Sequence, residues 1–333
     1  MKKDLNVLYQ SNDAFAPYLG VSLYSLLKNN TDIENLHVYI INIGIEKVNM
    51  EKVETMCAEF GREITWIDSA AIQKAILDSG MPEYKGFRKN TMSLMKVFAA
   101  DFIEARHVLY IDCDTIITGS LNDLVGLDIG ECSLGMVLDS IIPPQYKIDI
   151  GLRSDSNYYN SGIIYYDFEN WKKNRCVQRI VDFANTGKVF GTVDQDYLSV
   201  VLNKDVYTLD LKYNVQCIHL LSSPKGFMNT FADVKPFYSK NEVEAAVQNP
   251  AIIHYEKFCS MSPWHKDSVH PSTALFDSYL KESPWADYVK QPAPSKGIMF
   301  EVEKILYKIF PGDVFIKIFR IASNRMLINS NRK

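Results

Sequence analysis

Apolar residues fall in short blocks of two kinds along the 333-residue chain. Residues 5–9 form a short, mostly apolar run, closed by Ser11, Asn12 and Asp13. A 3.6-residue periodicity then begins near Phe15 and carries Tyr18, Leu19, Val21, Leu23, Leu26 and Leu27 before stopping at Asn29 and Asn30. Strand, polar loop and helix are therefore predicted in that order. Residues 37–43 read as a second strand, rich in β-branched residues, followed by a helix over 46–60 and a strand over 64–67. Further on, 92–103 reads as a helix and 107–111 as a central strand that runs into Asp112-Cys113-Asp114. Residues 134–138 form another strand, ending at Asp139. Residues 158–166 are apolar except for Asn160-Ser161-Gly162. Helices are expected over 168–187 and 193–203, and late strands over 206–209 and 251–253. Alternating strands and helices predict an α/β fold with a mostly parallel sheet. Such sheets bind ligands at the carboxyl ends of their strands, which makes Gln10 to Asp13 a candidate binding loop.

Four segments carry candidate chemistry. Asp112 and Asp114 follow an apolar strand, and side chains at i and i+2 of an extended chain point the same way. Two hard oxygen ligands suit Mg²⁺ or Mn²⁺, ions that bridge diphosphates. A solvated turn at a strand end is the bland alternative. His254 ends a late strand, where neutral imidazole suits Mn²⁺, although for a lone histidine a satisfied strand-end residue is the more ordinary reading. Asp194, in Asp194-Gln195-Asp196 at a predicted helix start, fits an N-cap as well as a site. Asn160-Ser161-Gly162 interrupts a strand as a pocket lining would, and as a β-bulge would.

Composition narrows the classes. With 47% hydrophobic and 23% charged residues the chain is neither disordered nor fibrous. A net charge of −4 offers no general attraction to nucleic acid. The six cysteines contain no C-x-x-C pair, and no apolar run matches a signal peptide or the roughly 18 residues of a membrane span. A cytoplasmic protein with reduced thiols is the expectation. The charge is uneven: eight basic and three acidic residues give 296–333 a charge of +5, leaving −9 on the remainder.

The segments in their order resemble glycosyltransferase family 8, which includes glycogenin and bacterial lipopolysaccharide and lipooligosaccharide galactosyl- and glucosyltransferases. The resemblance covers about residues 4–270. It implies a GT-A, Rossmann-like fold that binds a UDP-sugar with Mn²⁺, or with Mg²⁺ in its place, and transfers a hexose with retention of configuration. By this resemblance Asp112, Asp114 and His254 match the metal ligands. Gln10, Asn12 and Phe15 match the nucleotide loop, although relatives often have Asp and Tyr there. Cys113 lies between the metal ligands and is expected in the nucleotide-sugar site. Lys96 matches a basic residue near the donor sugar or phosphate, and Ser93 lies one turn earlier. Asp139 matches a carboxylate near the donor sugar, and Asn160, Ser161 and Gly162 match the sugar-pocket lining. Asp194 and Gln195 match the family's D-Q pair, so Asp139, Asp194 and Gln195 are the expected catalytic residues.

One departure stands out. The lysine that relatives place before Pro-Trp is Ser262 here, ahead of Pro263-Trp264, and the spacing is two residues longer. Lys257 or Lys266 is the candidate replacement for the diphosphate grip. The expected organisation is a catalytic domain over 1–270, a connecting helix and linker over 271–295, and a basic amphipathic tail over 296–333. In the tail Met299, Val302, Ile305, Leu306, Ile309 and Phe310 share one helical face, and Val314, Phe315, Ile318, Phe319 and Ala322 share another. Basic amphipathic helices lie on anionic membrane surfaces. The expected partners are therefore UDP-glucose or UDP-galactose, a glycan or lipid-linked glycan acceptor such as lipopolysaccharide, and the inner face of the cell membrane. The rival readings are UDP-sugar hydrolysis, self-glucosylation as in glycogenin, and a silent glycan-binding module.

Overall fold

The computed structural model describes residues 4–83, 91–188, 190–256, 261–293 and 298–330. Ten strands form two sheets. The strands are β1 (Asp4–Ser11), β2 (Asn35–Asn42), β3 (Glu63–Asp68), β4 (His107–Ile111), β5 (Thr115–Ile117), β6 (Leu134–Leu138), β7 (Tyr159–Asp167), β8 (Val206–Thr208), β9 (Val215–Gln216) and β10 (Ile252–His254). The main sheet runs β3-β2-β1-β4-β7-β6-β8, and a small sheet runs β5-β10-β9. Pairings in the main sheet are parallel except that β7 lies antiparallel to both β4 and β6. All nine residues of β7 are buried, as a strand covered on both faces requires. Val7, Leu8, Leu109 and Ile111 fill the middle of the core without exposure. Truncating one of them, such as Leu109 to Ala, would cost about 2–5 kcal/mol.

The helices are α1 (Ala16–Asn29), α2 (Lys47–Glu59), α3 (Ser69–Asp78), α4 (Pro144–Asp149), α5 (Phe168–Lys173), α6 (Cys176–Ala184), α7 (Val193–Val201), α8 (Pro224–Thr230), α9 (Lys240–Gln248), α10 (Thr273–Glu282), α11 (Ile298–Ile309) and α12 (Gly312–Ser330). Two predicted helices come out differently. Residues 168–187 split because Arg175 adopts the left-handed conformation at φ 52° and breaks the run between α5 and α6. Residues 91–101 form a 3₁₀ segment rather than an α-helix. With three residues per turn, side chains at i and i+3 eclipse, which aligns Ser93 with Lys96.

The segment after residue 270 packs back on the domain. Trp285 lies against Gly20 of α1, where a Cβ would come 2.1 Å from its ring. Its Nε1 donates to Asn49 Oδ1 at 3.0 Å. Helix α12 docks through Phe315 and Ile316, both buried. Its first-turn Asp313 accepts from the backbone N–H and the hydroxyl of Ser223, the N-cap of α8, both at 2.7 Å. The expected second apolar face is therefore divided. Phe315 turns inward, while Val314, Ile318 and Ala322 stay exposed. Helix α11 keeps Val302, Ile305 and Ile309 exposed, and Phe310 just after it is exposed as well. Met299 lies in α11, and its side chain is outside the described part of the structure. Among the described residues, no helix is long and apolar enough to cross a membrane.

Candidate functional site

Strands β1 and β4 are parallel neighbours, so their carboxyl ends open on the same edge of the sheet. The loop after β1 carries Asn12 and Phe15, and the turn after β4 carries Asp112, Cys113 and Asp114. Cys113 Sγ donates to the Gln10 carbonyl at 3.1 Å and ties the two loops together. Burial pushes the Cys113 thiol up, with Asp112 and Asp114 adding to the shift, so it stays a thiol. Gln10 Oε1 is buried without a hydrogen-bond partner among the described residues. Asn12 Oδ1 accepts from the Phe15 backbone N–H at 3.1 Å, which caps the turn and holds Phe15 outward, 43% exposed.

The chain brings His254 to this turn through the small sheet. Strand β5 begins directly after Asp114 and pairs antiparallel with β10, which puts Thr115 opposite His254. Asp112, Asp114 and His254 then offer three ligand atoms within 4.8 Å of one another. His254 Nε2 lies 3.3 Å from Asp114 and 4.0 Å from Asp112. On its other side, His254 Nδ1 meets Asn214 Oδ1 at 3.2 Å. The Asn214 amide donates to Asn160 Oδ1 at 2.9 Å, so its own oxygen accepts and Nδ1 carries the proton. With Nδ1–H held by Asn214, a cation that displaces the proton on Nε2 would meet that nitrogen turned to the carboxylates, the usual support of a metal-binding histidine. Burial alone would lower the His254 pKa, but Asp114, Glu256 and Asp112 outweigh it and raise it to about 9. Burial and the neighbouring Asp114 hold Asp112 up, while His254 outweighs burial and holds Asp114 down. Two carboxylates and one oriented imidazole fit a divalent cation of the Mg²⁺ or Mn²⁺ kind.

Lys96 is buried beside this cluster. Its Nζ lies 2.8 Å from Asp194 Oδ2, 2.8 Å from the Ser161 carbonyl and 3.8 Å from Asp112 Oδ1. Burial would discharge a lone lysine, but Asp112 and Asp194 together raise its pKa. Lys96 and the Ser161 hydroxyl, which donates to Asp194 Oδ2 at 2.8 Å, also overcome burial and keep Asp194 low. Ser93 is half-buried one 3₁₀ turn earlier.

Asn160-Ser161-Gly162 lies at a register shift between β6 and β7, opposite the Met136/Val137 step. The bulge aims these residues at the site. Asn160 Nδ2 meets Asp139 Oδ2 and Glu256 Oε1, each at 3.3 Å. Gln195 is held by Ser161, whose N–H donates to Oε1 at 3.2 Å, and its own Nε2 donates to Asp139 Oδ2 at 3.2 Å. Asp139, Asn160, Gln195 and Glu256 thus form one polar wall, and Lys96, Asp112, Asp114, Asp194 and His254 form the wall beside it. Asp196 has a different set of partners. It is buried and takes hydrogen bonds from Tyr146, Tyr158 and Thr192, which bind α7 to α4 and to the residue before β7.

Sequence reasoning missed Glu256, Asn214 and Gln216. Glu256 adopts φ 44°, a conformation that costs a residue with a side chain, and its Oε1 also accepts from Gln216 Nε2 at 2.9 Å. Burial, reinforced by Asp139 and Asp114 against the pull of His254, raises the Glu256 pKa to about 7. Its place two residues after His254 was the one available signal. Asn214 and Gln216 had none, since they lie at and just before the short strand β9, distant in sequence from His254 and Glu256. Of the two candidate phosphate lysines, Lys257 lies outside the described residues. Lys266 is exposed past Trp264, with its backbone N–H on the Gln291 carbonyl at 2.8 Å. Trp264 is buried and stacks on Tyr18 with centroids 4.0 Å apart.

This sheet order, with a pair of carboxylates at the end of β4, is a GT-A fold of the glycosyltransferases. A galactosyltransferase, LgtC, solved with donor and acceptor sugar analogues, superposes with TM-score 0.68 at 20% identity, covering 84% of this chain and 96% of that one. The glycosyltransferase GlyE of Streptococcus pneumoniae TIGR4 gives TM-score 0.58 at 21% identity, over 88% and 67%. The chain belongs to the family described as Glycosyl transferase family 8, which it matches over residues 6–268. It is 26% identical to General stress protein A of Bacillus subtilis over 86% of this chain and 96% of that protein. It is 24% identical to a lipopolysaccharide 1,2-glucosyltransferase of Escherichia coli K12, over 89% and 82%.

Proposed function

We propose that the protein is a metal-dependent, retaining hexosyltransferase that moves glucose or galactose from a UDP-sugar to a cell-surface glycan, with lipopolysaccharide or another lipid-linked glycan as the acceptor class. The observation that carries this reading is the packing of Asp112, Asp114 and His254 beside the buried Lys96–Asp194 pair. In this reading Asp112, Asp114 and His254 hold Mn²⁺ or Mg²⁺, which supplies Lewis-acid stabilisation of the diphosphate charge. The Gln10 amide and Asn12 bond the uracil edge, and Phe15 stacks on its face. Ser93, Lys96 and Cys113 line the diphosphate-sugar path. Asp194, Asp139, Asn160, Ser161 and Gly162 surround the hexose. Lys257, or failing that Lys266, supplies the cation that Ser262 does not.

Gln195 is the group held toward the hexose from the wall formed by Asp139 and Asn160, and an amide is a poor nucleophile. A front-face transfer follows. The bond from the anomeric carbon to the UDP oxygen breaks, and the acceptor oxygen bonds to that carbon on the same face. The acceptor proton passes to the departing phosphate. A glycosyl adduct trapped on Asp194, Gln195 or Asp196 would overturn this step.

The division into a catalytic domain (1–270), a connecting segment (271–295) and a tail (296–333) belongs to the same proposal. The exposed apolar stripe of α11 and its lysines suit the anionic inner surface of the cell membrane, which makes the enzyme peripheral and cytoplasmic. UDP release tests the activity. It should need Mn²⁺ or Mg²⁺ and should rise when a lipopolysaccharide-type acceptor is added. Release that ignores the acceptor would identify a hydrolase instead.

A further inference from the structure

Helix α12 touches the catalytic domain where the chain leaves Asp139, and Arg320 makes the contact. Arg320 is buried, and its Nη2 lies 2.9 Å from both carboxylate oxygens of Asp233. Its guanidinium also covers the Phe231 ring at 4.8 Å. Asp233 and Phe231 would by themselves account for a paired, stacked arginine. Arg320 does more, because its Nη1 donates to the carbonyl oxygen of Ile141.

Ile141 is held from its other end by the site. Its N–H donates to Asp139 Oδ1 at 3.0 Å. Between them, Ser140 is pinned by Gln216 Oε1 at 3.2 Å from its N–H and by His219 Nε2 at 2.8 Å from its hydroxyl. The second oxygen of Asp139 accepts from Asn160 and Gln195. An unbroken line of contacts therefore runs from the tail through one residue to the carboxylate of the hexose wall.

We propose that Arg320 is a positioning residue: by holding Ile141 it fixes the direction of Asp139, so that the tail helix completes the hexose-binding wall. This rests on the nucleotide-sugar reading of the site. It gives the tail a role in sugar binding that is separate from any membrane contact. A lysine at 320 keeps the charge but lacks the planar fork that serves Asp233 and Ile141 together.

The test is calorimetric binding of UDP, UDP-glucose and UDP-galactose with Mn²⁺, using the full chain. The ratio of UDP-hexose to UDP affinity isolates contacts to the sugar. Arg320→Met should leave UDP affinity within about twofold and lower the ratio about fivefold. Asp139→Asn should lower it similarly, and adding Arg320→Met to Asp139→Asn should change it less than about twofold, because groups acting in series do not add. Arg320→Lys and Asp233→Asn carry the same test if the methionine variant fails to fold, and both should lower the ratio. A merely structural arginine would reduce all three affinities together and leave the ratio unmoved. An unchanged ratio, or equal losses with and without Asp139, overturns the proposal. A wild-type chain that binds neither UDP nor UDP-hexose overturns the underlying reading as well.

Discussion

Gly162 stands against His254 so closely that a Cβ at 162 would lie 2.2 Å from the imidazole Cε1 and 2.7 Å from Nδ1. The bulge in β7 puts bare backbone there, and the histidine from β10 fills the space. The ring is thus wedged between Gly162 and Asn214, with Nε2 turned to the two aspartates. Gly162→Ala should push the ring out of line, at an overpacking cost of about 1–3 kcal/mol. Mn²⁺ affinity, measured by calorimetry, should fall at least about tenfold. A folded variant with wild-type affinity would remove His254 from the ligand set.

Lys96 neutralises Asp194 and faces Asp112 in a buried setting. Lys96→Met leaves those carboxylates without their cation, which should destabilise the apo protein by about 3–5 kcal/mol in urea unfolding. Saturating Mn²⁺ should recover part of the loss by binding only the folded state. A loss below about 1 kcal/mol would mean that the carboxylates are solvated rather than paired.

Asp196 gives a pH signature away from the metal cluster. Burial pushes its pKa up to about 6 from 3.8, despite donors from Tyr158, Thr192 and Tyr146. Between those values the native state holds the proton more tightly than the unfolded chain, so stability falls as pH rises and levels off above about 6. The stability difference between wild type and Asp196→Asn should therefore shift against wild type by up to roughly 3 kcal/mol across that window. Urea midpoints taken from pH 3.5 to pH 7 in roughly half-unit steps check this. A difference that is flat, or that moves toward wild type as pH rises, contradicts it.

The outer face of α11 offers a separate prediction. Ile305 and Ile309 are exposed one turn apart, 54% and 66%, with Lys304 and Lys308 on the same helix. Replacing both isoleucines with Ser should lower co-sedimentation with phosphatidylserine vesicles at least about tenfold, since each removes apolar area from the interface. UDP affinity should stay unchanged. Equal sedimentation would show that this stripe serves another contact.

Much of this site was readable where chemistry followed a strand. Asp112 and Asp114 extend an apolar run, His254 ends another, and the interruption at Asn160-Ser161-Gly162 marks a bulge that also lines the site. Residues joined only by tertiary pairing were not readable. Asn214 and Gln216 lie at the two-residue strand β9, whose pattern says nothing about His254 or Glu256. Glu256 itself reads as a spacer until its φ of 44° turns the carboxylate to Asn160. Arg320 is one of the eight basic residues of the tail, and charge in a sequence does not reveal a partner such as Asp233. The central sheet followed from apolar runs, whereas the antiparallel β7 and the small sheet depend on chain reversals that hydrophobic patterning does not encode.

The central claim is that the acidic cluster holds a divalent metal for a UDP-hexose. Thermal unfolding of the full chain with a panel of nucleotide sugars tests it most directly. UDP-glucose or UDP-galactose should raise the unfolding temperature in Mn²⁺, the rise should grow with ligand concentration, and both a chelator and Asp114→Asn should abolish it. Stabilisation by no UDP-sugar, or the same stabilisation under chelation, would contradict the account.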